Sequence, residues 1–387
     1  MATRVVAFVS MCIALAACGG ADTKTGSGGT GAPLSVDDII GSGPMSSLGP
    51  EIVGGQEFNA SSAQIAVNAE GNRTIGELRL GMPVEGRGTL TQGDLTASAT
   101  SLYAQSIVIG PILAVDPAAG QLQLPGVLAN IDRNTILVNI DSLAALAPGM
   151  SIEIFGLAQP QTGAILATRV ARGNLPGNQI SLLGVVSATT GTTATVSGLT
   201  ITNIANSVVL APIHPSPAPP SIVAANNTVR VIGTYDPVTQ SIVASQILAG
   251  LTPSRPEGNL IALEGIVEST ASNGDLRVAS TTVRAPASAT AIAAGTRIKA
   301  RGRMQSGVLQ ATEVSIVATN AALTFNVSGP VQNVIDAQTV VVRGERIRTS
   351  GATLIGGTAA DIALNRQVRI ALQVDNGALV AREIRFL

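Results

Sequence analysis

The sequence predicts an all-β protein, with five tandem small β-barrel modules behind a signal peptide and a flexible tether. Three observations predict this fold class. The 387 residues are 45% hydrophobic but only 2% aromatic, so small and β-branched side chains supply the apolar surface, as in pleated sheets. Apolar and polar residues tend to alternate with a period of two, which indicates strands with one buried face. One pattern returns five times, which indicates a repeat architecture.

The repeat is a short segment in which a glycine or asparagine precedes a strand of alternating residues. Leu80–Gly88 and Pro148–Gly156 carry it most clearly. The copies lie about 70 residues apart and account for nearly the whole chain beyond its N-terminal segment. The residues that open the five copies are Gly81, Gly149, Asn227, Gly295 and Asn365.

Each copy after the first continues with a turn and a strand that ends in an Ala-x-x-Ile or Ala-x-x-Val sequence, as in Gly163–Val170. Turns such as Asp116–Gly120 and Asn376-Gly377 contain residues that tolerate the positive φ of tight hairpins. Five or six short strands in each copy close only a small barrel or a compact sandwich. Because one such core contributes only about 3–5 kcal/mol, we expect neighbouring modules to pack together.

The first 17 residues predict a signal peptide. Arg4 precedes a largely apolar run that is shorter than the roughly 20 residues a membrane-spanning helix needs. Leu15-Ala16-Ala17-Cys18 resembles a bacterial lipobox, which would make residues 1–17 a lipoprotein signal peptide and Cys18 the lipidated first mature residue. The alternatives are an ordinary secretory signal with incidental cysteines, or a disulfide. Cys12 lies inside the apolar run and would leave with the peptide, which favours the lipobox.

Residues 18–50 predict a flexible tether, because Gly, Ser, Thr and Pro are abundant there. Gly26, Gly28 and Gly31 formally match the dinucleotide-binding fingerprint. That fingerprint needs a strand before it and a helix after it, and the sequence predicts neither. A lipid on Cys18 would hold the modules at a membrane surface through this tether.

The repeat and the prolines set the predicted domain boundaries, and the modules are expected to follow one another as separate units. A proline-rich insertion, 211–221, interrupts the third copy, and Pro253 and Pro256 mark a linker before the fourth. The predicted modules are 51–109, 110–175, 176–252, 258–320 and 321–387.

Together with the lipobox and the tether, three segments carry a resemblance: Ile52–Asn59, Leu78–Gly86 and Val115–Leu122. The chain resembles bacterial lipoproteins built of tandem copies of a small, OB-like β-barrel domain of unknown function. The resemblance covers the whole chain and is strongest in copies one, two and four. It implies five OB-like modules at the cell envelope, and Gly19 after the cysteine implies the outer membrane. It implies no catalytic residues, and copies three and five depart from it by carrying Asn for the repeat glycine.

The sequence offers little catalytic or metal-binding chemistry. His214 is the single histidine and lies among prolines, which favours a solvated loop over a general base. Asp37-Asp38 and the pair Glu264 and Glu268 carry carboxylates that suit calcium, but without EF-hand spacing they favour solvated charges. We therefore predict no cofactor, no metal and no catalytic residue. A hydrolase that uses scattered carboxylates is the competing interpretation.

The fourth module contains a cationic strand. Arg297, Lys299, Arg301 and Arg303 alternate with apolar residues, which places four cations on one face about 7 Å apart. One interpretation is a docking strip for phosphates of lipopolysaccharide or another polyanion. The other is an outward face that keeps the strand soluble and blocks edge-to-edge aggregation. The net charge of −1 and the absence of aromatic residues in this module argue against nucleic acid.

The functional prediction is a non-catalytic lipoprotein of the cell envelope that acts as a binding or scaffolding element. Its predicted partners are the membrane, through the N-terminal lipid, and an envelope polymer or protein. An enzyme needs one concave site with converging polar groups, whereas a repeat scaffold presents five similar shallow surfaces.

Overall fold

The chain folds into strands joined by tight turns. The computed structural model describes residues 35–159, 161–211, 223–287, 291–318 and 321–387. Strands account for 59% of the structure and helices for 3%, so the all-β prediction is confirmed, and the strands form small closed barrels. Cys18 and His214 lie outside the described residues, as does the predicted insertion apart from Ala211.

The strands fall into five groups along the described chain. Barrel 1 contains β1 (Val36–Leu48), β2 (Glu51–Val53), β3 (Gln56–Asn59), β4 (Gln64–Val67), β5 (Glu70–Arg73), β6 (Pro83–Thr91) and β7 (Thr96–Ala104). Barrel 2 contains β8 (Val108–Pro111), β9 (Ala114–Asp116), β10 (Gln121–Leu124), β11 (Val127–Asn130), β12 (Ile136–Val138), β13 (Ser151–Gln159) and β14 (Ala164–Arg172). Barrel 3 contains β15 (Gln179–Thr189), β16 (Ala194–Val196), β17 (Leu199–Thr202), β18 (Val208–Leu210), β19 (Thr228–Asp236) and β20 (Ser241–Ala249).

The last two groups follow the same plan. Barrel 4 contains β21 (Leu260–Thr270), β22 (Leu276–Val278), β23 (Thr281–Arg284), β24 (Arg297–Gln305) and β25 (Val308–Ile316). Barrel 5 contains β26 (Phe325–Asp336), β27 (Thr339–Val342), β28 (Glu345–Arg348), β29 (Thr353–Ile355), β30 (Gln367–Asp375) and β31 (Ala378–Phe386). The described 3₁₀ helices are Ile75–Glu77, Leu143–Ala145, Ile204–Asn206 and Ala359–Asp361.

Strand pairing closes each group into a ring. In barrel 4, β21 pairs antiparallel with β22 and with β24, and β22 pairs with β23. The ring closes because β23 runs parallel to β25, which pairs antiparallel with β24. The same circuit of pairings is present in barrels 1, 3 and 5. In barrel 2 the first strand is split into β8 and β9, and the ring closes in the same way.

The repeated sequence pattern lies at the entry to the long hairpin of each ring. Gly81 has a φ of 80° and Asn365 a φ of 65°, a left-handed conformation that glycine and asparagine tolerate. In barrel 3 the left-handed residue is Asn226, with a φ of 69°, so the predicted register at Asn227 is wrong by one residue. Because Asn supplies this conformation, barrels 3 and 5 close without the repeat glycine.

The predicted tether at 18–50 is wrong over its second half, since β1 occupies Val36–Leu48 and begins barrel 1. Ile39, Met45 and Leu48 of this strand are buried in the core. Its Gly-Ser-Gly-Pro sequence suggested a linker, but the small residues allow another backbone to approach. A Cβ added to Gly43 would lie 2.8 Å from the Cβ of Glu264 in β21.

Strand β1 joins three barrels. Its residues 39–42 pair antiparallel with β6 on one edge and parallel with β21 of barrel 4 on the other. Further along, Ser47 and Leu48 pair parallel with β26 of barrel 5. Consecutive side chains enter different cores: Ile39 packs in the core shared by barrels 1 and 5, and Ile40 packs in the core of barrel 4.

The barrels therefore do not follow one another as separate units, contrary to the prediction. Barrels 1, 4 and 5 share one 18-stranded sheet, and barrels 2 and 3 share one of 13 strands. The second sheet is continuous because β8 pairs with β15 at Ile109 and Ser181. Residues Ser35–Leu387 form one compact unit. Pairing between first strands covers edges that would otherwise expose unpaired backbone groups.

We predict that Gly54→Ala weakens the junction between β1 and β21. A Cβ at Gly54 would lie 2.6 Å from the Ser42 oxygen and 2.7 Å from the Ala262 oxygen. Gly55→Ala is the matched control, because Gly55 also has a positive φ but has open space around its Cβ position. Thermal unfolding should show Gly54→Ala to be less stable than Gly55→Ala by about 1–3 kcal/mol. Equal stability of the two variants would contradict the close approach of the two strands.

Candidate binding site

A cavity of about 260 Å³ lies where barrels 1, 2 and 4 meet the segment after barrel 3. Ser42 of β1, Val84 of β6, Leu157 of β13 and Ile266 of β21 line it, together with Leu251. Its wall is mainly apolar and no single barrel contains it. The cavity therefore lies at a contact between barrels, and we call such a contact a seam.

Two glutamates border the cavity, and each holds two cations. Glu85 of β6 accepts from Arg87 at 2.7 Å and from Arg255 at 2.7 Å. Glu264 of β21 pairs with Arg297 at 2.6 Å, and Lys299 lies 3.6 Å away. Both carboxylates are nearly or fully buried, where an unpaired charge would be costly. Each carboxylate is therefore compensated, and the two groups together carry four positive charges against two negative ones.

Tyr103 of β7 also lines the cavity. Its hydroxyl is buried and has no hydrogen-bond partner among the described residues. Burial raises the pKa of Tyr103 above its ordinary value, because the phenolate would lose its solvation. The hydroxyl therefore stays protonated at neutral pH.

Arg230 of β19 is fully buried beside this seam. It donates to the Ser106 carbonyl at 2.7 Å, to Ser181 Oγ at 3.0 Å, to Gln105 Oε1 at 3.1 Å and to Asn68 Oδ1 at 3.2 Å. Loss of solvation lowers the pKa of Arg230 to about 10, so the guanidinium remains charged at neutral pH. Through these four acceptors it joins barrel 3 to barrel 1 and to the segment before barrel 2.

A second buried connection joins barrels 1, 2 and 5. Arg169 of β14 donates to Glu345 Oε1 of β28 at 3.0 Å, and both side chains are at most 4% exposed. The same guanidinium donates to the Leu80 carbonyl at 3.0 Å, and the Leu80 N–H donates to Glu345 at 2.9 Å. Beside this pair, the Leu137 N–H donates to the Gly377 carbonyl at 2.8 Å. An open hollow of about 730 Å³ follows the same seam.

The predicted cationic strand is β24, and its four cations do lie on one face. Arg301 donates to Gln56 Oε1 of barrel 1 at 2.8 Å, and Arg303 pairs with Asp37 of β1 at 2.9 Å. Arg297 and Lys299 share Glu264. All four cations therefore have partners inside the protein, and two of those partners belong to barrel 1.

The acids considered for calcium lie on strands β1 and β21. Asp37 and Asp38 are in β1, and Glu268 accepts from the Ser280 N–H at 2.8 Å. Within the described residues, no group of three His, Cys, Asp or Glu side chains is arranged to hold a metal ion. No helix in the same part of the chain is long and apolar enough to span a bilayer.

Sequence reasoning missed Arg169, Arg230 and Tyr103. A signal for the two arginines was present, since each is a single charge between apolar or β-branched residues on a strand, as in Val229-Arg230-Val231. A charge in such a position needs buried acceptors, which the sequence alone does not locate.

Comparison with known sequence families finds a domain family that matches two segments of the chain. A domain of unknown function, DUF5666, matches residues 109–171 and 328–385, which lie in barrels 2 and 5. The chain thus carries tandem copies of a domain of unknown function, and the two matched copies contact each other at the Arg169–Glu345 seam. No curated protein matches the chain.

We predict that breaking the Arg169–Glu345 pair destabilises the whole molecule. Arg169→Met and Glu345→Gln should each lower the free energy of unfolding by about 3–5 kcal/mol, because each leaves a buried group unpaired. Arg169→Met combined with Glu345→Leu should recover much of that loss.

Arg73→Met is the control, since Arg73 forms ion pairs at the exposed surface and its loss should change stability little. Chemical denaturation of the four variants checks this. If Arg169→Met were as stable as Arg73→Met, the buried pair would not hold the seam.

Proposed function

We propose that the protein is a non-catalytic, membrane-anchored lipoprotein of the cell envelope whose barrels form one rigid binding or scaffolding element. The observation that carries this proposal is the use of charged side chains at seams. Arg169, Arg230 and Glu264 are buried and connect one barrel to another or one strand to the next. Charges placed in this way hold surfaces in a fixed relation, which is what a scaffold needs.

The finer assignment of the barrels is part of the proposal. We infer that all five are OB-like modules, because each ring has a short hairpin after its first strand and parallel pairing between its third and last strands. The fold described for OB domains is a five-stranded Greek-key barrel of this kind. The resemblance in sequence supports the same assignment.

Membrane attachment is proposed through Cys18. The support is the Leu15-Ala16-Ala17-Cys18 sequence behind an apolar run, together with Gly19, which favours the outer membrane. Lipid chains bind a bilayer by burying methylene groups at roughly 0.8 kcal/mol each, and stable anchoring takes more than one chain.

We predict that Cys18→Ser abolishes lipid attachment. Cells fed a labelled fatty acid should label the wild-type protein and should not label the Cys18→Ser variant, which should also leave the membrane fraction. Cys12→Ser is the matched control, since it changes the other cysteine, and it should keep both the label and the membrane location. Persistent labelling of Cys18→Ser would overturn the anchor.

A second candidate function is polyanion binding on β24, and the four cations on one face favour it. The side chains of Lys299 and Arg303 are 41% and 40% exposed, whereas that of Arg297 is 12% exposed. A polyanion such as lipopolysaccharide would have to compete with Glu264 and Asp37 for them.

For this candidate we predict that Lys299→Gln with Arg303→Gln weakens co-sedimentation with lipopolysaccharide by about fivefold for each cation lost. Arg277→Gln with Arg284→Gln is the control, because it removes two exposed, ion-paired cations from the same barrel. An equal loss in both variants, or no loss in either, would remove β24 as the binding surface.

A further inference from the structure

Barrel 5 presents five exposed arginines on the outer surface of three adjacent strands. β28, β31 and β30 are neighbours in the ring, and their inward side chains, such as Ile347 and Ile384, fill the core. The outward side chains alternate with these. We call the following set the arginine face: Arg346, Arg348, Arg369, Arg382 and Arg385.

The strand register pairs two of these side chains at one end of β31 and places Arg348 opposite Val380, nearer its other end, where Arg346 and Arg348 also border a hollow of about 150 Å³ against barrel 2. Arg369 of β30 lies directly opposite Arg385 of β31. The Cβ atoms of two residues paired in this way are roughly 5 Å apart. Arg346 and Arg348 are two residues apart on β28, about 7 Å along the strand. Like charges opposite each other are unfavourable, so the face is arranged at a cost to the isolated protein.

Most of the charges on this face have no balancing carboxylate within the described residues. Among the described residues, the side chains of Arg346, Arg348 and Arg369 have no hydrogen bond or ion pair. Arg382 donates to Gln373 at 2.9 Å, and Arg385 donates to Glu383 at 3.3 Å. The five arginines therefore contact one carboxylate among the described residues, that of Glu383. In barrel 4, by contrast, the β24 cations reach carboxylates or a glutamine of the protein itself.

Exposed leucines lie next to one end of the arginine face. Leu387 lies just beyond the end of β31, two residues after Arg385, and is 57% exposed. Its N–H donates to the Gln367 carbonyl at 3.1 Å. Leu364, in the turn before β30, is 62% exposed. Arginines beside exposed apolar side chains are typical of surfaces that lie at the interface of an anionic bilayer.

We propose that the arginine face binds the phosphate groups of an anionic lipid bilayer, with Leu364 and Leu387 entering the headgroup region. The planar guanidinium fork matches phosphate oxygens in pairs, which suits arginine better than lysine. The inference rests on the proposed lipid anchor, because Cys18 is 17 peptide links from Ser35 and these span at most roughly 60 Å. Because the lipid anchor would hold the protein within that distance of a bilayer, the bilayer is the anionic surface that the arginine face would contact.

The test measures binding of residues 19–387, which contain the compact unit Ser35–Leu387, to sedimenting vesicles. Vesicles of phosphatidylcholine with roughly a third phosphatidylglycerol should bind the protein, and pure phosphatidylcholine vesicles should not. Binding should weaken as salt rises, because exposed charges are screened. Equal binding to both kinds of vesicle would overturn the proposal.

Arg346→Gln with Arg348→Gln and Arg369→Gln should weaken binding roughly 100-fold, at about fivefold for each arginine. These side chains have no partners in the part of the chain that the structure describes, so the variant should keep its thermal unfolding temperature. The control is Arg73→Gln with Arg277→Gln and Arg284→Gln, which removes the same charge from ion-paired positions elsewhere and should change binding less than twofold. An equal loss in both variants would show that net charge alone drives binding and would sink the proposal.

Two further arms identify the source of phosphate. Leu364→Ser with Leu387→Ser should weaken vesicle binding several-fold and leave binding to soluble polyphosphate unchanged. If soluble polyphosphate bound and anionic vesicles did not, the arginine face would bind a free polymer, and the proposal would be wrong. Because the tested chain lacks Cys18, failure here is separate from failure of the lipid anchor, which fatty-acid labelling reports.

Discussion

One strand holds the molecule together. β1 pairs with β6 and β21 over the same four residues and with β26 at its end, so barrels 1, 4 and 5 share backbone hydrogen bonds. Ile39 and Ile40 then enter two different cores from neighbouring positions. A barrel of this size has a modest core of its own. Sharing a strand gives each of the three barrels a covered edge and a larger apolar contact.

The placement of charge follows from this architecture. Where barrels meet, cations and carboxylates are buried in pairs, as with Arg169 and Glu345, or receive several neutral acceptors, as with Arg230. On barrel 5, the exposed arginines of β28, β30 and β31 pair with no carboxylate in the described part of the chain, apart from Arg385 with Glu383. One chain therefore uses the same residue type for two purposes, internal connection at the seams and a cationic exterior on barrel 5.

The local features of the fold could be predicted from the sequence, because period-two alternation and turn residues act over a few positions. The cationic strand shows this, since Arg297 to Arg303 do share a face. Long-range pairing could not be predicted: Arg297 meets Glu264 from another strand, and Arg303 meets Asp37 of β1. β1 itself was mistaken for tether because glycine and serine are common both in linkers and where two backbones approach closely.

Native-state hydrogen exchange of backbone amides tests the central claim that β1 makes the barrels one cooperative structure. The account predicts that amides of β1, β21 and β26 open with the same free energy, and that this free energy falls in parallel as denaturant is raised. If β1 opened at a much lower free energy than β21 and β26, or if barrels 4 and 5 opened independently, the shared strand would not be what unites them.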